Sequence, residues 1–358
     1  MNDPPEHRTV RIGRAPVGPG RRLCVIAEAG VNHNGSLPRA LAMVRAARRA
    51  GADLVKFQMF RADALAAEGC PTADYQRRSV RRSRQVDMLR GLELTPQAFA
   101  AIRRECTRVG VGFLATPFGL DDLTALMRLR PAAIKLASPD LIYRDLLVAA
   151  ARTGRTVLVS TGAAALDELD RAMAWLDRPR PTPRVVLQCT SSYPTPADAL
   201  NLAVMDAFRH RCGWPVGLSD HTADVTAGAL AAAAGADVIE KHFTLDRSLS
   251  GPDHATSLEP DELAEYIRAA RAARAARGTG EKGVLPCERD VRRVARRSWF
   301  AARDIPAGTR LTAAMLAARR PPTGVPVDRC IVGLTTRRRL RAGQLIPRTA
   351  LSGRPRRF

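Results

Sequence analysis

Residues 216–243, VGLSDHTADVTAGALAAAAGADVIEKHF, contain two short apolar runs on either side of an alanine-rich segment. The runs Val216–Asp220 and Asp237–Phe243 have the length and apolar content of buried strands, and residues 225–235 predict a helix. A strand, a helix and a second strand in this order indicate two parallel strands joined by a crossover helix. Both runs end in polar residues, so we expect polar groups at one edge of the sheet.

The same alternation of strand and helix recurs along the chain from residue 23. The other predicted strands are Leu23–Gly30, Ala52–Met59, Val111–Thr116, Ala133–Ser138, Thr156–Thr161 and Arg184–Thr190. The other predicted helices lie near 36–50, 95–109, 120–129, 144–153, 166–177, 198–210 and 260–277. Eight such units in about 255 residues predict an α/β fold, a (β/α)8 or TIM barrel, over residues 23–277.

The segments around the predicted barrel differ from it in composition. Residues 1–22 are polar and rich in Arg and Pro, so we expect an N-terminal tail. The second unit carries an insert, residues 60–94, whose basic stretch Arg77–Arg84 predicts a solvated loop. Residues 278–295 predict a linker, and 296–352 a small β-rich domain with strands at Ser298–Ala301 and Cys330–Val332. Residues 353–358 predict a basic tail.

The charge of the chain is unusual in sign, size and composition. Its 358 residues carry a formal net charge of +22, and only four of the 57 basic residues are lysines, at 56, 135, 241 and 282. Clustered cations bind nucleic acid, but these arginines are scattered and aromatic residues make up only 4%. We therefore expect an arginine-rich background and no nucleic-acid partner. A lysine within such a background marks a position that needs a compact ammonium group.

The sequence also indicates the cellular compartment in which the protein is expected. No apolar run approaches the roughly 18 residues of a membrane span, and residues 1–20 lack the apolar core of a secretory signal. Seven cysteines without CxxC spacing indicate a reducing environment. We expect a cytoplasmic protein without a membrane partner.

A TIM barrel carries its active site at the carboxyl ends of its strands, where the polar ends of these runs converge. Two lysines and four hydroxyl residues there predict a cradle for a phosphate or carboxylate anion. These are Lys56, Lys135, Thr116, Ser138, Ser160 and Ser219.

Two histidines end the neighbouring seventh and eighth strands. His221 and His242 could bind one divalent metal ion and leave positions open for substrate and water. Glu28 and Asp253 are candidates for acid/base chemistry or for contacts to sugar hydroxyls. Glu240 and Lys241 are adjacent at the end of a strand, so only one of them is expected to face inward.

Nine short motifs follow one another along these strand ends and the loops after them. In chain order they are IAEAGVNHNG (26–35), VKFQ (55–58), ATPF (115–118), IKLAS (134–138), STG (160–162), QCTSSYPTP (188–196), GLSDHT (217–222), EKHFT (240–244) and GPDH (251–254). Together they resemble the sialic acid synthase family, which makes nonulosonic acids from phosphoenolpyruvate and an N-acyl hexosamine. The likeness covers about residues 23–350, and residues 298–350 resemble the family's C-terminal antifreeze-like (SAF) domain.

The resemblance implies a role for each matching position. Phosphoenolpyruvate would contact Lys56, Thr116, Lys135, Ser138, Ser160, Ser219 and His221. A divalent ion, Mn²⁺ with Mg²⁺ or Co²⁺ as alternatives, would be held by His221 and His242, which with Glu28 form the catalytic set. The acceptor sugar would contact Asp140, Ser191, Tyr193, His242, Asp253 and Arg320. The resemblance places Arg320 in the partner's site, which implies a domain-swapped homodimer.

Two positions of the sugar pocket depart from the pattern of the family. Ser191 stands where members acting on N-acetylmannosamine often have Asn, and Asp140 where they often have Glu. The sequence is therefore compatible with two acceptor sugars, N-acetylmannosamine and a related deoxy-diacetamido sugar. Two alternatives are another phosphoenolpyruvate-dependent 3-deoxy-ulosonate synthase, acting on an unusual or phosphorylated sugar, and a non-enzymatic polyanion-binding protein.

Overall fold

The computed structural model describes residues 8–71, 84–178 and 180–353. The chain divides into two compact units, Met1–Thr279 and Gly280–Phe358. Three predictions fall wholly or partly outside the described residues: the first seven residues of the tail, most of the basic stretch 77–84, and residues 354–358 of the basic tail.

The first unit contains a closed barrel of eight parallel strands, which confirms the predicted TIM fold. Its strands are β3 (Cys24–Gly30), β4 (Leu54–Met59), β5 (Gly112–Pro117), β6 (Ile134–Leu136), β7 (Val157–Ser160), β8 (Arg184–Cys189), β9 (Val216–Asp220) and β10 (Val238–His242). Each strand pairs with its neighbours in chain order, and β10 closes the barrel on β3 with His242 opposite Glu28. This register brings the first and last strands of the barrel together at the edge where the site is predicted.

Helices follow the strands as the sequence predicts. They are α1 (Leu37–Ala50), α2 (Ala62–Leu65), α3 (Gln85–Arg90), α4 (Pro96–Val109), α5 (Leu120–Arg128), α6 (Arg144–Arg152), α7 (Leu166–Leu176), α8 (Val204–Cys212), α9 (Ala227–Ala233) and α10 (Pro260–Arg277). Local signals fix their ends: the side chain of Ser36 accepts a hydrogen bond from the Arg39 amide, and Gly51 ends α1 in the left-handed conformation. The apolar faces of these helices bury Met43, Ile102 and Leu126 against the barrel.

Residues 8–22 are not the tail that their polarity predicts. They form a hairpin of two short strands, β1 (Val10–Ile12) and β2 (Ala15–Val17), whose Val10, Ile12 and Val17 side chains are buried. These side chains pack into the barrel interior with apolar residues from the starts of its strands. The alternation in VRIGRAPV is only three residues long on each side of Gly13, too short to stand out in a basic segment. The hairpin plugs the amino-terminal end of the barrel.

The described part of the insert forms a small apolar cluster of its own. Phe60 and Ala62 pack with Val31 from the loop after β3, and with Val86 and Met88 of α3. The insert therefore has ordered ends on the same side of the barrel as the loop that follows β3.

The second unit is β-rich, as predicted. Its antiparallel pairs are β11 (Ser298–Ala301) with β12 (Leu316–Arg319) and β13 (Thr335–Thr336) with β14 (Leu351–Ser352). Ile305, Leu311, Leu340 and Ile346 form its core. The strand predicted at Cys330–Val332 is wrong, because a turn at Gly333 ends that segment and the strand lies at β13.

The predicted linker, residues 278–295, is also partly wrong. Its second half forms a helix, α11 (Arg289–Ala295), within the second unit, and the division between units falls after Thr279. Three arginines within this helix and two directly after it obscure the pattern, because its only large apolar side chains are Val291 and Val294. In the described residues, no helix is both long and apolar enough to cross a bilayer.

Candidate active site

The carboxyl ends of the barrel strands bring together the residues predicted for the anion cradle. Lys56 lies on β4 and Lys135 on β6, and both are almost completely buried. Lys56 Nζ lies 2.9 Å from Glu28 Oε1 and donates a hydrogen bond to Thr116 Oγ1 at 3.1 Å. Glu240 Oε1 lies 3.8 Å from the ammonium of each lysine. Two ammonium groups and two carboxylates from four strands thus form one buried cluster.

Glu240, rather than Lys241, faces the barrel interior. Ser219 donates a hydrogen bond to Glu240 Oε1 at 3.1 Å, which links β9 to the cluster. Burial opposes ionisation of Glu240, but Lys135, Lys56 and the Ser219 hydroxyl outweigh it and lower the pKa of this carboxyl. Glu240 therefore holds a negative charge between the two lysines.

Glu28 differs from Glu240 in its ionisation. Burial raises the pKa of Glu28 in spite of the opposing effect of Lys56. The charge of Lys56 stays on, because the attraction of Glu240 and Glu28 outweighs burial and raises the pKa of Lys56. Burial lowers the pKa of Lys135. A buried carboxyl with a raised pKa beside an ammonium group is a candidate for acid/base catalysis.

One hydroxyl group of the cradle, that of Ser138, lies beside Gly162, after β7. The Gly162 amide donates a hydrogen bond to Ser138 Oγ at 2.9 Å, and Ser138 Oγ lies 3.4 Å from Cys189 Sγ. A Cβ on Gly162 would lie 2.9 Å from both Ser138 Oγ and Cys189 Sγ and would collide with the Ser191 hydroxyl. Ser160 Oγ is buried and has no hydrogen-bond partner among the described residues. Only glycine fits at this point, where three polar side chains converge.

The two predicted metal ligands are neighbours. The rings of His221 and His242 are 5.4 Å apart between centroids, and Tyr193 packs on His221 with its hydroxyl 3.2 Å from Nε2. His221 Nδ1 lies 2.8 Å from the Thr190 carbonyl oxygen, which fixes the ring and leaves Nε2 directed into the site. His242 Nδ1 lies 4.0 Å from Asp253 Oδ2.

His242 connects this pair to the carboxylate cluster. Gly30 has a φ of +52°, and a Cβ there would lie 3.4 Å from Glu28 Oε1 and 3.6 Å from His242 Cε1. Burial, followed by the charge of His221, lowers the pKa of His242 well below its usual range, so the imidazole is neutral. Its buried Nδ1 has no hydrogen-bond partner among the described residues. A neutral imidazole with an unpartnered nitrogen has the chemistry of a metal ligand.

The donor set fits an ion that takes two ligands from the protein. In the described part of the chain, no group of three or more His, Cys, Asp or Glu residues could hold a metal ion. Glu240 offsets part of the positive charge of Lys56 and Lys135, so the cluster alone leaves less of it for a polyanionic substrate. A divalent ion on His221 and His242 would supply that charge.

The residues predicted to contact the sugar lie at different depths. Asp253 is buried, Tyr193 and Asp140 are half-buried, and Ser191 is exposed. Burial raises the pKa of Asp140 to about 6, with Lys135 opposing the effect. A cavity of about 460 Å³ extends beside Ser191, Cys189 and Thr161. Arg320 is exposed in the second unit, in the segment that follows β12.

Lys241 and Asp220 point away from the interior, to the back of β9 and β10. Lys241 Nζ lies 3.1 Å from Asp220 Oδ2 and donates to the carbonyl oxygen and hydroxyl of Thr222 at 2.6 and 2.9 Å. Both members of the pair are fully buried. The pair joins the two strands that carry His221 and His242, which explains why a compact ammonium group stands at this position.

Comparisons with known proteins identify the family of the chain. The profile of the NeuB family matches residues 43–282, and that of the SAF domain matches residues 296–351. The chain belongs to the NeuB family. It is 35% identical over 318 residues to the N,N'-diacetyllegionaminic acid synthase of Legionella pneumophila, covering 87% of this chain and 89% of that protein. It is 32% identical over 314 residues to the human N-acetylneuraminate-9-phosphate synthase, covering 86% and 87%.

The fold of this chain is also similar to that of a solved sialic acid synthetase structure. The N-acetylneuraminic acid (sialic acid) synthetase of Leptospira borgpetersenii, crystallised with citrate, is 30% identical, with a TM-score of 0.72. The match covers 80% of this chain and 95% of that one. The barrel and the SAF domain of this NeuB protein thus correspond to the two predicted units.

Three polar residues of this NeuB site were not among the predicted site residues. Glu240 bridges the two lysines, Gln58 donates to Glu28 Oε1 at 3.4 Å, and Cys189 lies 3.8 Å from His221 Nδ1. The alternation of EKH assigns Glu240 and His242 to one face, so the signal for Glu240 was present. Gln58 follows Lys56 by two residues and shares its face for the same reason.

Proposed function

We propose that this protein condenses phosphoenolpyruvate with an N-acyl hexosamine to give a sialic acid-type nonulosonic acid and phosphate. The observation that carries the proposal is the pair of buried ammonium groups, Lys56 and Lys135, at the carboxyl ends of two barrel strands. Membership in a family of nonulosonic acid synthases supports the same reaction class. The reaction joins C3 of phosphoenolpyruvate to the sugar aldehyde carbon, adds water at C2 and breaks the C2–O bond to phosphate.

The anion cradle suits phosphoenolpyruvate in charge and shape. Lys56 and Lys135 offset the phosphate and carboxylate charges, and the hydroxyls of Thr116, Ser138 and Ser219 donate hydrogen bonds to their oxygens. Ser160 Oγ, buried without a partner among the described residues, would donate another. Glu240 holds the two lysines apart, 3.8 Å from each, so that they can contact different parts of the substrate.

Glu28 is the proposed acid/base. Its carboxyl contacts Lys56 and Gln58, and its pKa is raised by burial, so it can accept a proton from the attacking water or return one to the sugar oxygen. His221 and His242 would hold the divalent ion, for which Mn²⁺ is the first choice and Mg²⁺ or Co²⁺ the alternatives. When bound, this ion polarises the aldehyde of the open-chain sugar and stabilises the developing alkoxide.

The acceptor would lie on the outer side of the histidine pair. Tyr193 and Asp253 flank His221 and His242, and Asp140 and Ser191 complete the pocket. The shorter side chains of Asp140 and Ser191, compared with the family's frequent Glu and Asn, leave more room for a sugar with a second acylamino group. N-Acetylmannosamine and a deoxy-diacetamido hexosamine are both acceptors of the proposed class.

Two further parts of the proposal concern the assembly and its compartment. We propose a domain-swapped homodimer in which Arg320 of the SAF domain contacts the acceptor bound by the partner. The SAF domain and the exposure of Arg320 support this arrangement. A cytoplasmic location is supported by the seven cysteines, all of which are free thiols in the structure.

A substrate panel tests the reaction directly. The protein is incubated with phosphoenolpyruvate, Mn²⁺ and a set of free and phosphorylated N-acyl hexosamines, and phosphate release and product mass are measured. We expect release of one phosphate per product with an N-acyl hexosamine that carries no phosphate. Turnover only with phosphorylated sugars that lack an N-acyl group would contradict the proposal. Exchange of Arg320 for alanine should raise the KM for the sugar and leave that for phosphoenolpyruvate unchanged.

A further inference from the structure

A second cationic cavity lies at the opposite end of the barrel from the proposed active site. It has a volume of about 700 Å³, and its walls come from the segment before β3, the end of α8, the start of β10 and the end of α10. Six of its lining residues are arginines: Arg21, Arg22, Arg209, Arg271, Arg274 and Arg277.

Buried or half-buried acceptors hold part of this set in place. Arg274 donates to Asp237 Oδ1 at 3.1 Å and to the Arg21 carbonyl oxygen at 3.2 Å. Arg271 donates to Asp53 at 3.1 Å and to the Gly51 carbonyl oxygen at 2.8 Å. These two side chains form a fixed wall, so the cavity does not depend on the conformation of free surface chains.

The other wall contains like charges in close proximity. A Cβ on Gly235 would lie 3.1 Å from an Nη atom of Arg277 and 3.3 Å from one of Arg209, so both guanidinium groups lie over this glycine. Arg209 pairs with Asp206 at 2.7 Å, whereas Arg277 forms no ion pair within the described residues. Guanidinium groups at this separation repel each other unless an anion lies between them.

The balance of charge favours an anionic ligand. The six arginines face three carboxylates, those of Asp53, Asp206 and Asp237. Helix C-termini favour cations, which accounts for Arg274 and Arg277 in the last turn of α10. It does not account for Arg21 and Arg22, which come from the connection between β2 and β3 and bring two more cations to the same cavity.

We propose that this cavity binds a small molecule carrying two or more phosphate groups. A guanidinium group can donate two parallel hydrogen bonds to the oxygens of one phosphate group. The volume of the cavity exceeds the volume that a single phosphate group occupies. Asp237 and Leu23 line the cavity and directly precede β10 and β3, the strands that carry Glu240, His242 and Glu28 toward their other ends. A ligand here contacts both strands that close the barrel, at a distance from the proposed reaction.

Titration calorimetry with inorganic tripolyphosphate tests the proposal, with the full chain in chelator and physiological salt. We expect one saturable site whose affinity falls at least tenfold in the double variant R21A/R277A. Both side chains are exposed and hold no carboxylate among the described residues, so the variant should fold normally. The matched control is R289A/R292A, which removes two charges from the arginine cluster around α11 and should change the affinity less than twofold.

Competition distinguishes this cavity from the anion cradle. Saturating phosphoenolpyruvate should leave the tripolyphosphate affinity unchanged, and K135A, which disables the cradle, should do the same. Equal losses in the two double variants, displacement by phosphoenolpyruvate, or the absence of a saturable site would each overturn the proposal. None of these results depends on which reaction the barrel catalyses.

Discussion

Exchange of Lys241 for methionine should destabilise the protein far more than the same exchange at the exposed Lys282. The ammonium has three acceptors at 2.6–3.1 Å, and both Lys241 and Asp220 are fully buried. Methionine fills the same volume but leaves the Asp220 carboxylate buried without its partner. Breaking a buried pair in this way costs about 3–5 kcal/mol in free energy of unfolding. Urea unfolding followed by circular dichroism measures this loss.

The double variant D220N/K241M separates the charge from the packing. The asparagine side chain keeps an oxygen in the place of Asp220 Oδ1, which accepts the Thr222 amide at 2.8 Å, and it carries no charge to leave uncompensated. We expect the double variant to recover about half of the loss or more, because isosteric neutral replacement of a buried pair is close to neutral. K282M, on an exposed lysine, should change the free energy by less than about 0.5 kcal/mol. Additive losses in the double variant would refute the reasoning.

Three further predictions concern the proposed site. K135A should raise the KM for phosphoenolpyruvate by about 10- to 150-fold, which corresponds to a charged hydrogen bond of about 1.5–3 kcal/mol. The control R104A, on the exposed face of α4, should leave this KM unchanged. Equal effects of the two substitutions in steady-state assays would remove Lys135 from the cradle. A chelator should abolish phosphate release, and added Mn²⁺ should restore it; full turnover in chelator would exclude a metal on His221 and His242. Because burial raises the pKa of Asp140 to about 6, ionisation of this carboxyl opposes folding above pH ~4. In urea titrations, D140N should therefore be more stable than wild type by up to about 3 kcal/mol at pH 7 and equal to it at pH 3. A gain at pH 3 as large as at pH 7 would contradict burial of the charge as the cause.

The barrel could be predicted from sequence because each of its units repeats one local pattern. Val216–Asp220 is predicted and observed with the same bounds, and the helix predicted over 260–277 has those bounds in α10. The β1–β2 hairpin was missed because its stability comes from burial inside a barrel closed by residues far along the chain. A three-residue strand has no periodicity of its own to detect.

The site, like the fold, could be predicted only where the relevant signal lies within one short segment of the sequence. Strand ends could be aligned from sequence, and Lys56, Lys135, His221 and His242 do meet where the alignment predicts. The choice between Glu240 and Lys241 also follows from the strand, because the alternation of side chains puts Glu240 on the same face as His242, which was predicted to point inward. The cavity at the other end of the barrel could not be predicted, since its arginines come from three separate segments.

The plug formed by β1 and β2 has a consequence for biosynthesis. Residues 10–17 are made before the barrel strands, yet the buried cluster to which they belong includes Val238, which lies in the last strand of the barrel. During synthesis the apolar side chains of the hairpin have no barrel interior to pack into until more than two hundred further residues have been added. Long separations of this kind slow folding, so we expect the hairpin to be inserted after the strands that surround it have assembled. Two strands that are made before the barrel would thereby be placed after it.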